Sequence, residues 1–178
     1  MLKQFKMHSI IFSKEVKQVK EQKTNVMRVL EQKKISYVAH EYPHGDGPVD
    51  GVTVAKLTGQ NPENVFKTLV TVGASKANYV FVIPVAAELD LKKAAKSVGE
   101  KSIAMIHVSE ITPLTGYVRG GCSPVGMKKQ FPTVFDETAE IIDTILVSGG
   151  KIGTQIETAP ADLIALVGGK TADITTEV

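Results

Sequence analysis

The chain has 178 residues, of which 43% are hydrophobic and 22% are charged, and its formal net charge is +2. This length and composition are typical of one globular domain with a full hydrophobic core. No apolar stretch approaches the roughly 18 residues that a membrane-spanning helix needs, and Cys122 is the only cysteine, which excludes an intramolecular disulfide. We therefore expect a cytoplasmic protein without membrane association.

The first half of the chain is predicted to contain both helices and strands. Thr24 is a good N-cap, and the apolar residues that follow it at helical spacing predict a helix ending near Lys33. Residues 1–22 have no regular pattern, so we assign them to an N-terminal extension and residues 23–178 to a single domain. Glycine, proline and asparagine divide the next part into a strand at 35–42, a short helix at 52–59, strands at 65–72 and 79–85, and a capped helix at 90–99.

The second half is rich in glycine and in strand-forming residues. We predict strands within segments 116–126, 132–137 and 141–158, a last helix at 160–168 and a short final strand near residues 172–174. Because the strands cluster instead of alternating strictly with helices, the expected class is α+β, with a mixed, largely antiparallel, barrel-like sheet flanked by helices.

The segment His40–His44 (HEYPH) matches the pattern H-E-x-x-H, in which two histidines on one helix hold a zinc ion. However, Pro43 restricts Tyr42 to extended backbone, and β-branched and aromatic residues precede it, so the segment is predicted to be a strand end. In a strand the two histidine Cα atoms would lie about 13 Å apart, too far to share one metal. We therefore expect no metal site here, and no other motif indicates a cofactor.

Segment 65–72 (VFKTLVTV) places a lysine inside an apolar strand pattern. The period of a strand puts Lys67 on the same face as Val65 and Leu69. A buried ammonium is costly unless it faces a partner or a polar cavity, so such a lysine often marks a binding site. The alternative is a lysine that protects an edge strand or extends to water, and the pattern leaves both interpretations open.

Two glycine-rich segments, 119–126 (RGGCSPVG) and 147–157 (VSGGKIGTQIE), present backbone amides that no Cβ would shield from a ligand. Such amides can hold an anion or a developing oxyanion. The same sequences are equally typical of tight turns between strands. Cys122 lies in the first segment with no histidine near it in sequence, and we interpret it as a small buried hydrophobic residue and not as a nucleophile.

Four segments occur together and in order: VFKTLV, PVAAELDLKKAAKSVG, TGYVRGGCSPVGMKKQFPTVFDE and ILVSGGKIGTQIETAPADLIAL. From about Thr24 to Ile174 the chain closely resembles the bacterial YbaK family, the free-standing relatives of the editing domain in prolyl-tRNA synthetase. The resemblance implies a deacylase that acts in trans on the acceptor end of mischarged tRNA, with Cys-tRNA(Pro) as the expected substrate. It also suggests prolyl-tRNA synthetase as a further partner.

The resemblance implies roles for individual residues as well. Lys67 matches the family's site lysine, and Gly121 matches a glycine whose backbone faces the ester, so these two are the expected catalytic residues. Tyr42 matches a tyrosine that lines the pocket. Ser148 and Gly150 match the second glycine-rich loop, and all three are expected to bind substrate.

At one expected substrate-binding position the chain departs from the family. Where the YbaK pattern commonly reads G-L-D-I-E, this chain reads GTQIE, so Gln155 replaces an aspartate. The loss of a negative charge there leaves the preferred amino acid open. The alternative to a deacylase is a non-catalytic regulatory or tRNA-binding protein on the same fold.

Overall fold

The computed structural model describes residues 22–177, so the predicted extension 1–22 lies almost entirely outside the described residues. The α-helices of the described part are α1 (Asn25–Gln32), α2 (Gly51–Thr58), α3 (Leu91–Val98), α4 (Val108–Thr115) and α5 (Pro160–Val167). Its strands are β1 (Val38–Glu41), β2 (Phe66–Gly73), β3 (Asn78–Pro84), β4 (Ile103–Met105), β5 (Thr133–Asp136), β6 (Ile145–Ser148), β7 (Thr154–Thr158) and β8 (Lys170–Ala172). None of these helices has the length and apolar composition that crossing a membrane requires.

The helix ends follow the capping residues that the sequence indicated. The side chains of Thr24 and Asp90 accept hydrogen bonds from backbone amides in the first turns of α1 and α3. Helices α2 and α3 end at Gly59 and Gly99, which adopt the left-handed conformation that glycine allows. The helices predicted at 24–33, 52–59, 90–99 and 160–168 are therefore confirmed.

One part of the second half differs from the prediction. The strand predicted within segment 116–126 is wrong, because the segment forms an irregular loop. Gly116, Gly120 and Gly126 have positive φ angles there, which are incompatible with extended pairing. Helix α4 and strand β4 were not predicted, since Pro113 lies inside α4 and β4 has only three residues.

The strands form two sheets and not a closed barrel. The smaller sheet has the order β1-β7-β6 and is antiparallel, and the larger has the order β4-β2-β3-β5-β8. In the larger sheet the β3–β5 and β5–β8 pairs are parallel, and the other two pairs are antiparallel. The predicted α+β class with mixed, largely antiparallel strands is confirmed. In place of barrel closure, a parallel bridge between Val65 and Leu146 joins the two sheets.

The main core lies between the two sheets. Phe66 and Val82 of the larger sheet pack in one cluster with Val147 and Ile156 of the smaller sheet, and α1 and α5 contribute to the same cluster. Full burial of each such side chain contributes about 1.5–3 kcal/mol. Helix α3 packs in a second cluster with residues of β3 and β5. On the side of the main core, the region around the Val65–Leu146 bridge is therefore stabilised by tightly packed apolar side chains.

We predict that removal of residues 1–22 leaves the fold intact. Helix α1 begins with its own cap at Thr24, and its residues Val26 and Leu30 are fully buried in the main core. A chain that begins at Lys23 is expected to melt within about 2 °C of the full-length chain, which differential scanning calorimetry would measure. A decrease of many degrees would show that residues 1–22 pack on the domain.

Candidate active site

A cavity of about 510 Å³ opens where the two sheets diverge. The bridge from Val65 to Leu146 joins β2 to β6, and beyond it no ladder between these strands forms among residues 22–177. Lys67 lies two residues beyond Val65, and Ser148 lies two residues beyond Leu146. Because side chains alternate along a strand, Lys67 and Ser148 lie on the same face as the two buried bridge residues. They flank the gap between the strands from opposite sides.

The remaining walls of the cavity come from β7, from α2 and from loops. Gln155 of β7 lies directly opposite Ser148 of β6, so its side chain reaches the same face. Val54 of α2 and Val85, which follows β3, line the cavity with apolar surface, and Arg119 lies in the loop after α4. The site is therefore assembled from segments that are far apart in the sequence.

The structure brings most of the predicted site residues together. Those that line the cavity are Tyr42, Lys67, Ser148 and Gln155. Gly121 does not line the cavity itself but lies between two residues that do, Gly120 and Cys122. Its N–H donates to the Val118 carbonyl oxygen at 2.9 Å, so this amide is not a free donor for an oxyanion.

Gly121 instead allows two loops to approach each other closely. A Cβ at this position would lie 2.9 Å from Lys151 Cα and 3.1 Å from Ile152 N, both backbone atoms that cannot rotate away. The loop that carries Arg119 is thus packed directly against the loop between β6 and β7. A residue with a Cβ would collide with this backbone, so a glycine is required at position 121. Gly121 thereby positions the cavity wall.

Gly150 is not among the residues that line the cavity, and its substrate-binding role stays a prediction. Its φ is +99°, and a Cβ there would lie 3.0 Å from Val26 Cγ2 and 3.3 Å from Tyr117 Cε1. Its N–H donates to Ser148 Oγ at 3.2 Å. Gly150 therefore packs against α1 and orients the Ser148 hydroxyl, which is the group that faces the cavity side of the loop.

Lys67 is half-buried, and its ammonium makes no ion pair or hydrogen bond with any of residues 22–177. Burial lowers the pKa of Lys67, and the negative charge of Glu88 acts in the opposite direction. Strand β2 pairs with β3 along its length but with β4 only at Thr71–Gly73, so at Lys67 its other side borders the gap toward β6, where Lys67 lines the cavity. The structure favours the binding-site interpretation over the edge-strand one.

Unpaired polar atoms are concentrated at the cavity. Among the residues that the structure describes, the buried side-chain atoms without a hydrogen-bond partner are Thr68 Oγ1 and Gln155 Oε1, and both residues line the cavity. Such an atom would cost about 1–3 kcal/mol of stability if it had no partner at all. Groups of this kind are usually satisfied by a ligand or an ordered water. Their location is consistent with a site that a polar substrate completes.

The HEYPH segment forms a strand end, as predicted. His40 lies in β1, with its Nε2 at 3.3 Å from Glu157 Oε1, and the His44 ring lies against Gly153. The ring centroid of His44 is 6.4 Å from that of Tyr42. Within residues 22–177 no group of three or more His, Cys, Asp or Glu side chains is arranged to hold a metal ion. His40 thus contacts β7 through Glu157, and His44 lies edge-on to the Tyr42 ring.

Cys122 lines the cavity, and burial raises the pKa of its thiol to about 11. We predict that it reacts slowly with thiol reagents, because at pH 8 its thiolate fraction is about a hundredfold below that of an ordinary cysteine. Cys122 is the only cysteine, so the rate of reaction with Ellman's reagent measures this thiol alone. Labelling as fast as that of free cysteine would contradict the prediction and restore Cys122 as a candidate nucleophile.

Several lining residues were not predicted from the sequence, and Thr68 and Arg119 are among them. Thr68 follows Lys67 directly, but side chains alternate along a strand. The strand period therefore predicts the Thr68 side chain on the face opposite Lys67. Arg119 directly precedes the glycine pair of the first glycine-rich segment, and this position is the signal that could have identified it.

Comparisons with known proteins identify the family of the chain. Residues 49–166 match the family described as the aminoacyl-tRNA editing domain. The chain is 47% identical over 157 residues to EbsC of Enterococcus faecalis, named as a candidate Cys-tRNA(Pro)/Cys-tRNA(Cys) deacylase, with 88% of this chain and 96% of EbsC covered.

Solved structures show the same fold. A crystal structure described as a candidate trans-editing enzyme for prolyl-tRNA synthetase superposes with a TM-score of 0.74 and 28% identity, covering 86% of this chain and 96% of that one. The hypothetical protein APE2540 shares the fold with a TM-score of 0.77 at 22% identity, over 86% of this chain and all of that one. The chain belongs to the aminoacyl-tRNA editing domain family.

Proposed function

We propose that this protein is a deacylase that acts in trans on mischarged tRNA, with Cys-tRNA(Pro) as its substrate. The observation that carries the proposal is the cavity at the divergence of the two sheets, which is lined by an unpaired ammonium, Lys67, together with Ser148 and the buried amide of Gln155. The 47% identity to EbsC, whose name specifies Cys-tRNA substrates, supports the choice of amino acid.

The reaction is hydrolysis of the ester between the amino acid and the terminal ribose. Water adds to the carbonyl carbon and loses a proton, and the carbonyl oxygen becomes negatively charged. The bond to the ribose oxygen then breaks as that oxygen takes up a proton, which releases tRNA and the free amino acid. An aminoacyl ester is already activated, so a fixed orientation and a cation near the developing oxyanion supply most of the required stabilisation. Lys67 is the residue that we assign to this cation.

We also propose that the protein works in the cytoplasm and that prolyl-tRNA synthetase is its partner. The support is the description of a structural relative as a trans-editing enzyme for that synthetase. Co-purification of the synthetase with this protein, dependent on charged tRNA, would test the partnership.

The activity is tested with purified protein and Cys-tRNA(Pro), with and without a chelator. Release of free cysteine in both tubes is the result that we expect. Release in neither tube would favour the alternative of a non-catalytic binding protein. Release only without the chelator would indicate metal-dependent hydrolysis and would overturn the mechanism given above.

At Gln155 we predict a change in selectivity rather than a loss of activity. The side chain is 6% exposed and lines the cavity, and Gln155→Asp shortens it by one methylene while introducing the carboxylate of the family pattern, which attracts or repels charged substrate groups. Rates on cysteinyl-, alanyl- and seryl-tRNA should change by several-fold relative to one another. Unchanged ratios among the three substrates would show that Gln155 does not contact the amino acid.

A further inference from the structure

The backbone that carries Arg119 is held in a fixed turn at the cavity. The Gly121 N–H donates to the Val118 carbonyl oxygen at 2.9 Å, and Gly120 has a φ of +85°. This combination is typical of a type II turn with Arg119 at the second position. A Cβ on Gly120 would lie 2.6 Å from Pro48 Cβ. The turn is therefore packed tightly against the loop that precedes α2.

The guanidinium of Arg119 is free to bind a ligand. Arg119 is exposed, and it takes part in no ion pair or side-chain hydrogen bond within residues 22–177. Asp50 is the carboxylate that shares the cavity. It already accepts hydrogen bonds from Thr53 N at 3.0 Å and Thr53 Oγ1 at 2.6 Å as the cap of α2.

Exposure distinguishes two ends of the cavity. Arg119 and Gly120 are exposed, whereas Val54, Val85 and Gln155 are only 3%, 8% and 6% exposed. A substrate that enters from solvent must leave its bulky RNA at the exposed end and place its small amino acid at the buried end. Arg119 therefore lies where the nucleotide backbone enters.

We propose that Arg119 binds the phosphodiester group that joins the terminal adenosine of the tRNA to the nucleotide before it. The inference rests on the proposed function, which places the ester on the ribose of that adenosine. This phosphodiester is the anion nearest to the ester, and arginine presents paired N–H donors that match two phosphate oxygens. Arg119 thereby fixes the RNA end, and Lys67 is left for the carbonyl oxygen.

Two small esters test the assignment: 3′-O-cysteinyl-adenosine and the same compound with a 5′-phosphate. For the unaltered protein, kcat/KM should be on the order of tenfold higher with the phosphate than without it. Arg119→Gln should remove this preference through an increase in KM for the phosphorylated ester alone, with kcat unchanged. Arg119→Lys should keep part of the preference, because the charge remains but the paired donors are lost.

Arg28→Gln is the matched control, since Arg28 is the only other arginine of the chain and lies exposed on α1. It should leave both esters unaffected. On full-length tRNA, Arg119→Gln should also reduce the slope of log affinity against log salt by about one. Equal losses on the two esters, or no loss on either, would overturn the phosphate contact.

If the unaltered protein cleaves neither these esters nor Cys-tRNA(Pro), the proposed function fails and the phosphate contact is decided separately. Binding of the non-cleavable 3′-cysteinylamino analogues, with and without the 5′-phosphate, then gives the answer by calorimetry. A phosphate-dependent affinity that Arg119→Gln removes supports the contact without catalysis. An affinity that is independent of the phosphate rejects it.

Discussion

Replacement of Lys67 with methionine is expected to lower deacylation of Cys-tRNA(Pro) by on the order of a hundredfold or more, the effect of losing one preorganised electrostatic contact. Methionine keeps much of the length of lysine but carries no charge. The ammonium has no protein partner among the described residues, so its charge is available to the substrate. Single-turnover rates with saturating protein would measure the chemical step directly.

The same substitution should not destabilise the fold. Burial lowers the pKa of Lys67, so the folded state disfavours the charged form relative to the unfolded chain. The resulting cost is fully present at pH values below the folded-state pKa, and it disappears as the pH rises above the ordinary lysine pKa of 10.5. At pH 7 the melting temperature of Lys67→Met should therefore equal or exceed that of the unaltered protein.

Two further variants test whether activity depends on the lysine at position 67 itself or only on the number of positive charges on the protein. Lys67→Arg should recover activity only in part, because a planar guanidinium presents its donors in a different geometry. Lys92→Met, at an exposed position of α3, should retain full activity. Full activity in Lys67→Met, with aggregation as the only defect, would remove Lys67 from the site.

Local signals in the sequence were sufficient to predict the helices with strong caps and the strands around Lys67. Thr24, Asp90 and Gly59 act through hydrogen bonds and backbone conformation within a few residues, and such effects can be recognised without the fold. The face of Lys67 followed from the strand period alone. The strand prediction for segment 116–126 was wrong because its tyrosine and valines favour strands, whereas its glycines at positive φ determine the conformation.

The composition of the cavity could be predicted only in part. Which residues meet there depends on the divergence of β2 and β6 beyond Val65 and Leu146, a contact between segments about 80 residues apart, and short-range patterns do not record such contacts. The family resemblance supplied Tyr42 and Ser148, which line the cavity. It gave no role to Arg119, whose position depends on how its turn packs against other loops.

Gly121→Ala is expected to reduce deacylation by about a hundredfold, although the added methyl group does not enter the cavity. The new Cβ would lie 2.9 Å from Lys151 Cα and 3.0 Å from Lys151 C, so the two loops must move apart. A displacement of about 1 Å in a site can cost on the order of a hundredfold in rate. Overpacking of this kind costs about 1–3 kcal/mol, which should lower the melting temperature by roughly 2–12 °C for a chain of this size.

A neighbouring glycine provides the control for this effect. Gly47 lies in the loop before α2 with no atom within 4 Å of its Cβ position and without a positive φ, so Gly47→Ala should change neither rate nor melting temperature. The φ of Gly121 is also outside the left-handed region, so backbone strain contributes nothing there and only the contact with Lys151 distinguishes the two variants. If Gly121→Ala behaved like Gly47→Ala, the close approach of the two loops would not be what maintains the cavity. A loss of rate confined to Gly121→Ala would instead show that the spacing between these loops sets the position of the reacting ester.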